Sequence, residues 1–182
     1  MKRIILSLVA LTLIGLNLNA QNMNKKALVV YFSVTGNTAT VANNLADAIG
    51  ADIFEIEPMQ LYTSDDLDWA DENSRSSIEM KDSKARPEMN NNLDDAKEYD
   101  LIYLGFPIWW YTAPKIVNTF LEKTDMAGKT IVLFATSGGS GMENTVESLK
   151  PSAPKATFKR GKVLSKDASQ EELKEFAKTA LK

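Results

Sequence analysis

Apolar residues fall into two kinds of run along this chain. Residues 27–32, Ala-Leu-Val-Val-Tyr-Phe, are continuous and β-rich, the pattern of a strand buried on both faces. A small polar loop follows at 33–37. Val41, Leu45, Ala48 and Ile49 then recur at helical spacing, and Gly50 stands where such a helix should stop. Residues 52–57 alternate, with Phe54 and Ile56 to one side, and Pro58 ends the run. Strand, helix and strand in about 30 residues make a βαβ unit. The alternation resumes with a strand at 99–105, a helix at 114–122 that has Pro114 near its first turn, and a strand at 130–135. A short helix at 142–149 and a weaker strand within 156–164 come next. The last helix is capped by Asp167 or Ser169 and carries Leu173, Phe176, Ala177 and Ala180 on one face. The prediction is an α/β domain whose parallel sheet has helices on both faces. Between the two stretches lie residues 58–98, acidic and weakly periodic, with a helix expected within 65–81 and a turn at Asn90-Asn91-Asn92.

The first 20 residues follow a different rule. Lys2 and Arg3 precede an apolar run at 4–18, broken only by Ser7, Thr12, Gly15 and Asn17, and Asn19-Ala20 offers a small residue for cleavage. That is the pattern of a secretory signal, and the run is shorter than the roughly 20 apolar residues of a spanning helix. An uncleaved anchor is the alternative. The expectation is an exported, periplasmic protein with a domain at 27–181 and no stable membrane insertion after cleavage.

Composition narrows the chemistry. Among 182 residues there is no Cys and no His, which excludes disulfides, thiolate nucleophiles, Cys- or His-ligated metals and His-based triads. The formal charge is −3; without Lys2 and Arg3, 19 basic residues face 24 acidic ones, a net of −5. A nucleic-acid binder would carry a basic stripe instead. The charge is uneven: residues 58–98 hold 11 acids and 5 bases, residues 150–182 hold 9 bases and 4 acids. An acidic face can steer a cationic partner; a solvated loop and a solvated helix explain it equally well.

In parallel sheets of this kind ligands bind beyond the carboxyl ends of the strands, so the loops after the first, third and fourth strands hold the candidate residues. The first, Ser33-Val34-Thr35-Gly36-Asn37-Thr38, leads into a helix N-terminus, where free N–H groups and the helix dipole favour an anion. Three hydroxyls and Gly36 suit close approach. With no Lys and no GxGxxG, the loop fits a phosphomonoester better than a nucleotide triphosphate or a dinucleotide. An ordinary helix cap is the alternative. The second loop, 105–114, contains Pro107-Ile108-Trp109-Trp110-Tyr111. Three consecutive aromatics cannot all face a core, and an exposed one can stack on a planar ligand, while one of Trp109 and Trp110 is expected to pack beneath the loop. The third, Thr136-Ser137-Gly138-Gly139-Ser140-Gly141, can present backbone amides to a ligand edge.

Together these loops resemble those of the flavodoxin family, over nearly the whole chain after residue 26. The resemblance implies a doubly wound, five-stranded parallel sheet and a flavin mononucleotide (FMN) cofactor. It implies that Ser33, Thr35, Gly36, Asn37 and Thr38 hold the phosphate. Pro107, Ile108, Trp109 and Trp110 would shape the ring pocket, and Thr136, Ser137, Gly138 and Gly139 would meet the pyrimidine edge. Two departures stand out. The third loop lacks the Tyr that covers one ring face in many flavodoxins. Residues 108–113 contain no Gly, and Tyr111 should resist a positive φ, which leads us to expect weak stabilisation of one-electron-reduced flavin. If Asp65, Asp66, Asp68, Asp71 and Glu72 lie beside the ring, they would lower its potential. The function implied is an electron carrier with an unidentified redox partner protein. An FMN-dependent NAD(P)H:quinone or nitro-compound reductase and an exported flavin-binding module without a redox partner are the alternatives, as is a flavin-free adhesion-like domain.

Overall fold

A computed structural model describes residues 26–181; the proposed signal at 1–20 lies outside the described residues. Five strands form one wholly parallel sheet in the order β2-β1-β3-β4-β5. They are β1 (Ala27–Tyr31), β2 (Asp52–Glu55), β3 (Leu101–Pro107), β4 (Thr130–Thr136) and β5 (Thr157–Val163).

The period-2 alternation of the central strands divides the core in two. Leu28, Val30 and Phe32, with Ile102, Leu104 and Phe106 and with Ile131, Leu133 and Ala135, point to one side. There they meet Ile116, Val117, Phe120 and Leu121 of α3 (Lys115–Lys123) and Leu149 of α4 (Thr145–Leu149). Val29, Tyr31, Tyr103, Val132 and Phe134 point to the other. That side is covered by α1 (Asn37–Ile49) through Val41, Ala42, Leu45 and Ala46, and by α5 (Gln170–Thr179) through Leu173, Phe176 and Ala177. The chain therefore leaves β1 toward one face and β3 toward the other. The mouth between those two strands is where such a sheet leaves a crevice.

Local signals set the element ends. Gly50 closes α1 with φ 64° and donates its N–H to Ala46. Ser169, rather than Asp167, caps α5, in a reciprocal pair with Glu172. β3 starts two residues later than its pattern suggests, because Tyr99 turns its ring to Lys26 and its hydroxyl to Asp52. Between β2 and β3, the helix expected within 65–81 is α2 (Arg75–Lys81), preceded by a short 3-10 turn at Asp65–Leu67. Asn91 does not simply turn the chain: its side chain accepts from Glu57 N–H and donates to the Glu55 carbonyl, so it prolongs the edge of β2.

β5 is a basic edge. Lys159, Arg160 and Lys162 lie along it, and its register against β4 shifts between Val132 and Phe134, both devices that discourage further strand addition. Gly161 sits at that irregularity, and a Cβ there would lie 1.3 Å from the Leu133 carbonyl oxygen. Backbone cannot yield as a flexible side chain can. Gly161→Ala is therefore expected to destabilise the protein by about 3 kcal/mol or more, read as a lowered urea midpoint in equilibrium unfolding.

Candidate functional site

A cleft of about 540 Å3 opens at the carboxyl ends of the strands. Of the residues picked out by sequence, Thr35, Asn37, Pro107, Ile108, Trp109, Thr136, Ser137 and Gly138 line it. The β5–α5 connection, which sequence reasoning passed over, supplies Leu164, Ser165, Lys166 and Asp167. The strand-end rule applies to β5 as well, and that was the available signal.

The first loop folds as an anion cradle. Gly36 takes φ 85°, no side chain caps α1, and its first turn carries no acid. The leading N–H groups of α1 thus keep their positive character. Ser33 Oγ is buried without a hydrogen-bond partner, an arrangement that costs free energy unless a ligand supplies the missing bond. Asn37 bonds locally to Thr35 Oγ1. Thr38 does not line the cleft: it is 2% exposed, and its hydroxyl pairs with that of Thr136 at 2.7 Å. It ties the first loop to the end of β4.

The second loop is a two-residue hairpin. Trp109 and Thr112 exchange both backbone hydrogen bonds, at 2.9 and 3.0 Å, around Trp110 and Tyr111. These central residues have φ 46° and 64°, the left-handed signs of a type I′ turn, which ordinarily wants Asn and Gly. Tyr111 thus adopts the positive φ that its side chain was expected to resist, while residues 108–113 contain no Gly. The turn is held from outside: Ile108 N–H donates to the Thr136 carbonyl and the Thr112 hydroxyl meets that of Ser148. Trp109 packs, with its ring centroid 5.9 Å from Phe32 and 5.4 Å from Tyr62. Trp110 and Tyr111 are 44% and 60% exposed and lie outside the cleft lining.

In the third loop, Ser137 Oγ accepts from Gly139 N–H at 3.1 Å. Gly139, like Ser33, Gly36, Thr38 and Trp110, belongs to a site loop without lining the cleft. None of Asp65, Asp66, Asp68, Asp71 and Glu72 lines it either. Lys166 and Asp167 are the charged residues of the wall. Among the described residues there is no group of three or more acidic side chains able to hold a metal.

A flavodoxin family model matches residues 26–180. The chain belongs to the flavodoxin family. Two solved structures of candidate flavoproteins are similar to it. One, from Bacteroides uniformis, is 48% identical over 85% of this chain and 98% of its own, with a TM-score of 0.80. The other, from Bacteroides eggerthii, is 43% identical over 87% and 99%, with a TM-score of 0.82. A Lactobacillus acidophilus flavoprotein solved in complex with FMN shares the flavodoxin fold at 24% identity, over 84% of this chain and 99% of its own, with a TM-score of 0.62. No curated protein matches the chain.

The hairpin of this flavodoxin-family cleft yields a prediction. A left-handed residue with a side chain costs about 1–2 kcal/mol, and glycine's extra freedom when unfolded returns part of any gain. Tyr111→Gly is expected to raise stability by about 0.5–1 kcal/mol, measured by urea unfolding of the ligand-free protein.

Proposed function

We propose that this cleft binds FMN and that the protein is an electron carrier. The observation that carries the reading is the loop that leads into the uncapped α1, where Thr35 and Asn37 line the cleft and the buried Ser33 Oγ has no partner. The donor set there is neutral: hydroxyls and backbone N–H groups. Such donors suit the dianionic phosphate of a mononucleotide. Across the cleft, Trp109 offers an aromatic surface for a planar ring, and the N–H groups of 136–138 can meet a polar ring edge. The flavin, once bound, accepts and returns the electrons. The chain anchors the phosphate, fixes the ring against Trp109 and shields it from water. One neighbour supports the same ligand: the protein from Lactobacillus acidophilus was solved with FMN.

The test is a titration of the purified protein with FMN. A bound-flavin absorbance spectrum with quenched flavin fluorescence is the expected result, and absence of binding at high micromolar FMN refutes the reading. Ser33→Ala should weaken FMN binding about ten- to a hundredfold, since a hydrogen bond to a charged group contributes about 1.5–3 kcal/mol.

We also propose that the protein is exported, on the strength of Lys2, Arg3 and the apolar run at 4–18. A chain exported unfolded has to take up its FMN after transport. N-terminal sequencing of the protein from its native cell is expected to start near residue 21, and a start at Met1 or Lys2 in soluble cytoplasm refutes export.

A further inference from the structure

We infer that Tyr62, clamped by Arg75 and Glu79, is a positioning residue that fixes the plane of Trp109 in the cleft. It thereby sets the geometry with which a planar heteroaromatic ring is received. The inference deepens the flavin reading and rests on it.

Tyr62 comes from the long β2–β3 connection, far in sequence from every loop of the cleft. It is nevertheless 8% exposed and lies beneath the site. Its ring meets Trp109 edge-on, at 5.4 Å and 77° between planes, and meets Phe32 at 5.8 Å and 65°. Trp109 meets Phe32 in the same way, at 5.9 Å and 83°. The three rings form a closed triangle of edge-to-face contacts, in which no ring can tilt without breaking two of them. Phe32 is followed directly by Ser33, so the triangle joins the cradle to the aromatic wall.

A phenylalanine would fill the same space. This position instead carries a hydroxyl, and that hydroxyl donates to Glu79 Oε2 at 2.6 Å. Arg75 lies over the Tyr62 ring at 3.8 Å, bonds Glu79 Oε1 through Nε at 2.7 Å, and donates to the Gln60 carbonyl. Arg75 and Glu79 are both largely shielded from water. A shielded ion pair contributes little net stability but defines one geometry. Burial, followed by the bond to Glu79, pushes the Tyr62 phenol far above its ordinary range, so it remains the donor. α2 is thus a short helix whose Arg75 and Glu79, one turn apart, grip a single ring.

The test compares FMN with riboflavin, which has the ring and lacks the phosphate. In Tyr62→Leu both affinities should fall by the same factor, about two- to tenfold, whereas Ser33→Ala should weaken FMN alone. The near-UV circular dichroism of Trp109, read in a Trp69→Phe/Trp110→Phe background, should change in Tyr62→Leu. Should Tyr62→Leu fail to fold, Tyr62→Phe keeps the ring, loses the bond to Glu79, and decides the question in the same direction. Parental FMN and riboflavin affinities together with a parental Trp109 signal, in a folded variant, overturn the inference. A fall for FMN but not riboflavin overturns it as well. If the parent binds neither flavin, the flavin reading falls separately. The Trp109 signal then decides the positioning role: altered supports it, parental overturns it.

Discussion

A strand with large apolar side chains on both faces must be covered twice, and this requirement organises the molecule. Leu28, Val30 and Phe32 need a layer on one side, Val29 and Tyr31 a layer on the other. β3 and β4 repeat the demand. Two layers of helices can be supplied only if the chain winds one way from β1 and the other way from β3. Those two strands are neighbours, so their exits diverge and no backbone crosses the gap between them. The cleft is the residue of that divergence. Its floor is made of strand ends whose positions the core has already fixed, and so the loops above it can be short, polar and strained.

The strain is concentrated where the support is densest. Trp110 and Tyr111 hold left-handed backbone, paid for by pairing between Trp109 and Thr112, by the tie from Ile108 to β4, and by the meeting of Thr112 with Ser148 on α4. The first loop shows the complementary arrangement. Its glycine relaxes the turn, while a buried hydroxyl is left without a partner. One loop is over-determined by protein contacts and the other keeps a buried hydroxyl that no protein group satisfies.

Much of this was legible in the sequence because it is local. Continuous apolar runs declared the buried strands, helical spacing declared α1 and α5, and Gly50 and Ser169 marked helix ends. The cradle could be read from a hydroxyl-rich loop between a buried strand and a helix. What escaped reading depends on contacts between distant segments. Nothing near Tyr62 signals that it will lie under Trp109. The positive φ of Trp110 and Tyr111 contradicts their local preference and is imposed by the pairing of Trp109 with Thr112. The pairing of the Thr38 hydroxyl with that of Thr136, 98 residues on, has no local signal either. The β5–α5 wall was missed because Leu164 to Asp167 carry no distinctive motif.

The strand order also has a temporal side. β1 is a central strand, yet β2, the next to leave the ribosome, supplies only an outer neighbour. Its inner neighbour is β3, and the register sets Ala27 beside Leu101. While residues 58–98 are still emerging, β1 shows an unpaired edge and an uncovered apolar face. The long β2–β3 segment that later places Tyr62 beneath the cleft therefore also sets how long the nascent chain must wait before its core can close.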